Sequence, residues 1–273
     1  MKVLISVDME GVSGVVDRNH TSPEGNDYQR ARQLMTGEAN AAVEGAFAAG
    51  ASDVLLVDAH GGNGYRNILI ESLDPRCWLL TGADRPRGQM QGLDSSFTAA
   101  MMVGQHVRND NFGTLSHTIS GRVVVGLKIN DYPVGEPGYN AFQSGQMGVP
   151  MVLIAGDDRT CEEVQELIPN IETAVVKRAV TRYSAICMPH ERAQATIREA
   201  AERALKRVDA ISPWRLDPPY RAELKFLHSG MTEIALRTPG VEPVDPLTIA
   251  YESEDADAVY RMIRTLLRGM PIT

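Results

Sequence analysis

Apolar and polar positions fall into short blocks with two different periods. Val3 to Val7 is a short apolar run that predicts a buried strand, delivering Asp8 and Glu10 at its C-terminal end. From Tyr28 to Ala49 the period changes to that of a helix. Ala31, Leu34, Met35, Ala42, Val43, Ala46 and Phe47 share one face, and Gly50 ends the helix. Asp53 to Asp58 predicts a second strand, running into Ala59-His60-Gly61-Gly62. Trp78 to Thr81 and Ala99 to Val103 are a third and a fourth, the last ending near Gly104-Gln105-His106. Strand, helix, strand in this order implies right-handed crossovers and a mostly parallel sheet.

The middle of the chain changes character. Arg122 to Ile129 predicts a strand entering the turn Asn130-Asp131-Tyr132-Pro133, with Glu136 in the loop beyond. Tyr139 to Met147 predicts a helix, Pro150 to Ala155 a buried strand closing on Gly156-Asp157-Asp158, and Thr160 to Ile168 a short helix stopped by Pro169. Beyond Ser184, Pro189 opens a helix to Val208 whose inner face is Ala193, Ile197, Ala201, Ala204 and Leu205. After the Pro-rich stretch Ser212 to Pro219 come a strand (Ala222 to Leu227), a helix (Met231 to Leu236), a strand (Leu247 to Tyr251) and a helix (Asp255 to Leu267). The expected architecture is a three-layer α/β/α domain with a mostly parallel sheet over residues 1–183. A smaller α+β unit over residues 184–273 packs on it.

Composition narrows the function. Hydrophobic residues make up 43% and charged residues 23% of 273, ordinary for a globular protein. The 35 acidic residues outnumber 27 basic ones and leave a net charge of −8 without a basic stripe, which argues against a nucleic-acid partner. No apolar stretch approaches the ~20 residues that span a membrane, and the N-terminus enters a strand without a leader, so the expected location is the cytoplasm. Cys77, Cys161 and Cys187 lie far apart without a Cys-x-x-Cys pair. They read as small buried residues in a reducing compartment rather than a disulfide framework or a thiolate zinc site.

Chemistry gathers where strands end. Asp8 and Glu10 follow the first, His60 the second, His106 the fourth, and Glu136 the hairpin-like segment. Singly, each reads as a helix cap, a loop acid or a satisfied histidine. Together they form a carboxylate and imidazole set converging on one sheet edge, where paired carboxylates repel and ask for a cation. The donors suit Zn²⁺, with Mn²⁺ or Co²⁺ as alternatives. Five ligands exceed what one catalytic zinc takes, but they suffice for two metals when one carboxylate bridges.

The chain resembles the M55 family of metallopeptidases, the zinc-dependent D-aminopeptidases of the bacterial dipeptide-permease operon. The matching words are Ser6-Val-Asp8-Met-Glu10-Gly11, Asp58-Ala-His60, Gly104-Gln-His106, Leu115-Ser-His117-Thr118, Asn130-Asp-Tyr-Pro-Val-Gly-Glu136 and Ala155-Gly-Asp157-Asp158. Nearly the whole chain takes part. The resemblance implies two Zn²⁺ per subunit, with Asp8 bridging, Glu10 and His60 completing one position, and His106 and Glu136 the other. It implies a catalytic role for His117, which alone beside Ser116 and Thr118 would read as structural. Proton donation to the leaving amine or oxyanion stabilisation is preferred to direct attack. It further implies a short peptide substrate with an N-terminal D-residue such as D-alanine, and a homodecamer whose sites face an internal channel.

Other readings compete. A related amidohydrolase or L-aminopeptidase would use identical ligands. Gly11-Val-Ser-Gly14 suggests a nucleotide-binding turn, but the G-x-G-x-x-G fingerprint is absent. A non-catalytic metal-binding or assembly protein is the third alternative. Asp157 and Asp158 read as helix caps or as support for the site, Trp214 as packing, and His20, His190 and His228 as structural or exposed.

Overall fold

Strand β1 (Lys2–Val7) is buried on both faces, and its side chains Val3, Leu4, Ile5 and Val7 are inaccessible to solvent. That is why its sequence is a run and not an alternation: a parallel strand covered by helices on both sides has no wet face. The same holds for β2 (Asp53–Asp58), β4 (Ala99–Gln105) and β7 (Met151–Asp157), while β3 (Trp78–Leu80) is a short edge. Two more strands, β8 (Glu172–Thr181) and β9 (Ser184–Cys187), complete a seven-stranded sheet of order β3-β2-β1-β4-β7-β8-β9. All neighbours in it are parallel except the β8–β9 hairpin. The computed structural model describes residues 1–270.

Helices cover both faces of this sheet. After the single turn α1 (Arg18–Thr21), α2 (Tyr28–Ala48) packs along α5 (His190–Lys206). Ala39, Ala42 and Ala46 of α2 and Ala193, Ala200 and Ala204 of α5 are all buried, and such small side chains let two helices lie close. On the other side, α3 (Glu136–Gln146) and α4 (Asp158–Leu167) lie against β4, β7 and β8.

A second, antiparallel sheet has the order β11-β12-β10-β5-β6. Its members are β5 (Val124–Ile129), β6 (Tyr132–Pro133), β10 (Tyr220–Phe226), β11 (Val241–Asp245) and β12 (Thr248–Ser253). Two helices, α6 (Ser229–Ala235) and α7 (Ala256–Gly269), lie on β10 and β12. The buried stripe Val259, Tyr260, Ile263 and Leu266 of α7 has helical spacing and closes this second core. Each large side chain so buried stabilises the fold by roughly 1.5–3 kcal/mol.

The sheets do not divide at residue 183. That boundary falls inside the β8–β9 hairpin, and α5 belongs to the large sheet's layers. The small sheet in turn takes β5 and β6 from within 1–183, pairing Ala222 with Ile129 and Leu224 with Leu127. The β5 run needed an antiparallel partner that the local sequence does not supply, and β10 provides it across a long loop. Residues 271–273 of the expected smaller unit lie outside the described residues.

Strand order places the cleft. From β1 the chain moves outward to β2 and β3, then returns to β4 on the other side of β1. The reversal opens a crevice at the C-terminal ends of β1 and β4, the ligand position of open α/β sheets. There the chain after β1 crosses the end of β4: Asp8 N–H donates to the Val103 carbonyl (2.8 Å) and Gly11 N–H to that of Gly104 (2.7 Å). Gly104 has φ +68°, and a Cβ on it would sit 2.0 Å from the Asp8 carbonyl oxygen, so only glycine allows the crossing.

Candidate metal centre

Asp8, Glu10, His60, His106 and Glu136 meet in this crevice, all of them buried. Asp8 and Glu10 leave the end of β1, His60 stands two residues beyond β2, and His106 directly follows β4. Glu136 is not a loop acid. It begins α3, where Pro137 fits the first turn and a carboxylate is favoured by the helix dipole. His60 Nδ1 lies 3.0 Å from Glu10 Oε2 and 3.3 Å from Asp8 Oδ1. His106 Nε2 lies 3.0 Å from Glu136 Oε1 and 3.8 Å from Asp8 Oδ2. One oxygen of Asp8 therefore faces each histidine.

His117 joins the same group. Its ring stacks on His106 with centroids 3.8 Å apart, and its Nε2 stands 3.5 Å from Glu136 Oε1. The loop that carries it is strained: Leu115 (φ +53°) and Ile119 (φ +58°) are both left-handed, the latter rare for a β-branched residue. Ile119 N–H donates to Glu136 Oε1 (3.0 Å) and ties the loop to the cluster.

Backbone carbonyls fix the tautomers. Nε2 of His60 is 2.7 Å from the Thr21 carbonyl, Nδ1 of His106 is 3.1 Å from that of Val107, and Nδ1 of His117 is 2.9 Å from that of Leu115. A carbonyl only accepts, so each of these nitrogens carries the hydrogen. In the neutral rings the opposite nitrogens then aim lone pairs at carboxylate oxygens, which is repulsive unless something positive lies between. With protons alone, burial opposes charging the histidines, but Glu10 raises His60 well above its ordinary value and Glu136 lifts His106 to about 10. Burial and the neighbouring Glu10 push Asp8 up to about 7. For Glu10 and Glu136 burial is outweighed, by His60 and His106 respectively, so that Glu10 falls well below its ordinary value and Glu136 to about 2.

A divalent cation relieves the same conflict with both histidines neutral. Donor atoms ~3.0–3.3 Å apart match neighbouring ligands around a tetrahedral ion at ~2.0–2.1 Å, and the N/O set suits zinc. Asp8, Glu10 and His60 form one group with this geometry; His106, His117 and Glu136 form another. By donor chemistry and spacing, the residues fit metal.

Supporting residues come from positions without a sequence signature. Gln89 Nε2 donates to Glu136 Oε2 (2.5 Å) and points at Asp8 Oδ2 (3.5 Å), while Asn140 Nδ2 donates to Gln89 Oε1 (2.5 Å). Gln89 sits on a single 3₁₀ turn, and its spacing from the other site residues follows no pattern. Lys177 on β8 is buried under the loop after β1. Its ammonium donates to the carbonyls of Glu10 (2.5 Å), Val12 (3.2 Å) and Val15 (2.7 Å). Lys177→Met leaves the Glu10 and Val15 carbonyls without a donor and takes one of two from Val12, with an expected loss of about 2–4 kcal/mol of stability. Urea unfolding measures it, and an unchanged midpoint would count against the clamp.

The same contacts remove the nucleotide reading of Gly11 to Gly14. The turn's carbonyls close on Lys177, and its amides bond to Gly104, Met9 and Glu38, leaving no cradle for a phosphate. Asp157 caps α4 through Thr160 N–H (2.8 Å) and also accepts from Thr114 N–H (2.8 Å); Asp158 accepts from Ala179 N–H (2.8 Å). Of the cysteines only Cys161 is buried; Cys77 and Cys187 are half-buried, and all three are free. His228 is exposed, and His20 and His190 are half-buried and do not line the cleft. Trp214 packs edge-on against Tyr132, 5.6 Å between centroids.

A doubly wound sheet with buried carboxylates and imidazoles at its switch point fits a metal-dependent hydrolase, and the family match makes it a peptidase. The chain belongs to peptidase family M55, the D-aminopeptidases, whose pattern it matches over residues 1–265. It is 36% identical over 267 residues to a D-aminopeptidase of Bacillus subtilis (strain 168), covering 96% of this chain and 94% of that one. Its fold superposes with a TM-score of 0.94 and 33% identity on a solved structure of Bacillus subtilis. That protein, DppA, is described as a Zn-dependent D-aminopeptidase and a self-compartmentalizing protease; 98% of this chain and 97% of that chain are covered.

Proposed function

We propose that this chain is a dinuclear-zinc aminopeptidase that hydrolyses an N-terminal D-residue, such as D-alanine, from short peptides. The observation carrying this reading is Asp8, whose two oxygens face two separate histidine groups in one buried cleft. In it Asp8 would serve both ions, Glu10 and His60 would hold one, and His106 and Glu136 would hold the other. Bound there, zinc supplies Lewis-acid polarisation of a carbonyl and lowers the pKa of a water toward neutrality. His117 serves from outside that set. With Nδ1–H held by the Leu115 carbonyl, Nε2 is the atom that moves a proton, and burial lowers its pKa. Neutral His117 takes a proton at Nε2 from the attacking water and passes it to the leaving amine.

The cleft measures about 530 Å³ and is lined by Asp8, Glu10, His60, Tyr65, His117 and Arg264 among others. That volume admits a short peptide and excludes a folded chain. Elemental analysis is expected to find about two zinc ions per chain, and chelation to abolish turnover of D-Ala-D-Ala. Paired D-Ala and L-Ala dipeptides test the stereochemistry: absence of metal, or equal rates on both, would overturn the reading.

Self-assembly, as a homodecamer in the cytoplasm, belongs to the same proposal. The relative described as self-compartmentalizing supports it, and so does apolar surface on this chain. Phe112 is 89% exposed, and Val180, Tyr183 and Ile186 on the β8–β9 hairpin are 61%, 61% and 58% exposed. Among the described residues no helix is long and apolar enough to cross a membrane. Sedimentation equilibrium is expected to give ten chains per particle; a monomer would refute assembly.

A further inference from the structure

One wall of the cleft carries a positive charge that no carboxylate pairs among the described residues. Arg264 reaches it from α7, in the lobe opposite the carboxylates. Among the described residues it makes no ion pair, and its Nε is buried without any hydrogen-bond partner. Among the described residues its one hydrogen bond runs from Nη2 to the Tyr65 hydroxyl (3.3 Å). The guanidinium lies flat on Gly88, where an added Cβ would come within 3.1 Å of its Cζ and Nε. Gly88 directly precedes Gln89, whose amide touches Glu136 and Asp8. The unanswered charge is therefore within the reach of a molecule engaged at the carboxylate cluster.

Tyr65 is built for this position. It is left-handed (φ +61°), and its carbonyl is pinned by Thr81 Oγ1 (2.7 Å) and Gly82 N–H (2.8 Å). Arg85 lies over its ring, 4.7 Å from the centroid, held by the carbonyls of Gly82 (2.6 Å) and Asp58 (2.8 Å). Nη2 of Arg85 is also buried and unpartnered. This second cation lies behind the tyrosine without an ion pair, with the Asp58 carboxylate as its nearest negative charge. Buried guanidinium groups are ordinarily paired, and one left open in a cleft is the signature of an anionic ligand group. Planar carboxylate is the natural match for its fork of donors.

We infer that Arg264, steadied by Tyr65, binds the C-terminal carboxylate of the peptide substrate, making this enzyme selective for short peptides with a free C-terminus. The inference rests on the peptidase reading above. Arg264 is a specificity residue here; it takes no part in bond breaking.

The experiment compares D-Ala-D-Ala with D-Ala-D-alaninamide, which has the same scissile bond and no terminal charge. Wild type is expected to prefer the acid by about 10- to 100-fold in kcat/KM, the range of a charge-assisted contact. Arg264→Gln is expected to remove that preference by lowering the rate on the acid alone, chiefly through KM, with zinc content and melting temperature unchanged. Arg264→Lys, which keeps the charge but not the fork, should restore part of it. Equal use of acid and amide by wild type, or equal loss on both in Arg264→Gln, would overturn the assignment. So would an Arg264 effect confined to D-Ala-D-Glu-diamide analogues bearing only a side-chain carboxylate. Equilibrium binding of the acid and the amide to the His117→Ala protein separates the two claims. Discrimination by Arg264 there, with no hydrolysis of any peptide by wild type, would refute the aminopeptidase reading and leave the carboxylate site standing.

Discussion

Replacing Asp8 by Asn is expected to empty both proposed metal positions and to lower kcat/KM by about four orders of magnitude. Its two oxygens face His60 and His106 at 3.3 and 3.8 Å, so its loss takes a donor from each group at once. Glu10 approaches only His60, and Glu10→Gln should cost about one ion. Elemental analysis reads the difference directly: two ions retained in Asp8→Asn would refute the bridge. The metal-free proteins supply a second measurement. Burial and Glu10 raise Asp8 to about 7, so the native state holds its proton where the unfolded chain has released it. This group's contribution to stability therefore falls as pH rises from about 4 to about 7. Asp8→Asn removes that penalty, and its melting temperature without metal should gain on wild type across the same window.

His117→Ala is expected to keep the full zinc content while kcat falls about 10²- to 10⁴-fold. The stack on His106 and the bond to the Leu115 carbonyl orient the ring, but Asp8, Glu10, His60, His106 and Glu136 already provide five ligands without it. Metal analysis is the critical readout, because His117 Nε2 also lies close enough to Glu136 to complete an ion's shell. A variant that binds one ion fewer would make His117 a ligand and move proton transfer elsewhere.

Legibility in the sequence followed burial. β1, β2, β4 and β7 were readable because both faces are covered and the whole run is apolar. β8 and β9 leave no such run: the outer half of β8 is solvent-facing and β9 has four residues, none buried. β11 is exposed beyond Val241. The site followed the same logic. Asp8, His60 and His106 stand at the ends of legible strands, and the sheet itself brings them together. Glu136 reads as a loop acid by its distance from the preceding strand, although Gly135 and Pro137 mark a helix start around it. Gln89, Lys177, Tyr65 and Arg264 act through tertiary approach, and no local period announces a residue that arrives from another element.

The small sheet also sets when a nascent chain can become competent. β5 and β6 leave the cleft just after His117 and return to it at Glu136, so the span between these two residues is a detour through the other lobe. In that lobe β5 pairs with β10, which pairs in turn with β12, ending at Ser253. The last-synthesised quarter of the polypeptide thus anchors a loop needed by its middle. Fragments ending near residue 210 would carry Asp8, Glu10, His60 and His106 on the large sheet and Glu136 at the start of α3, yet lack the strand that pairs with β5 between His117 and Glu136. Truncations from the C-terminal end that remove β10 are therefore expected to weaken the centre without removing any of its candidate metal-binding residues.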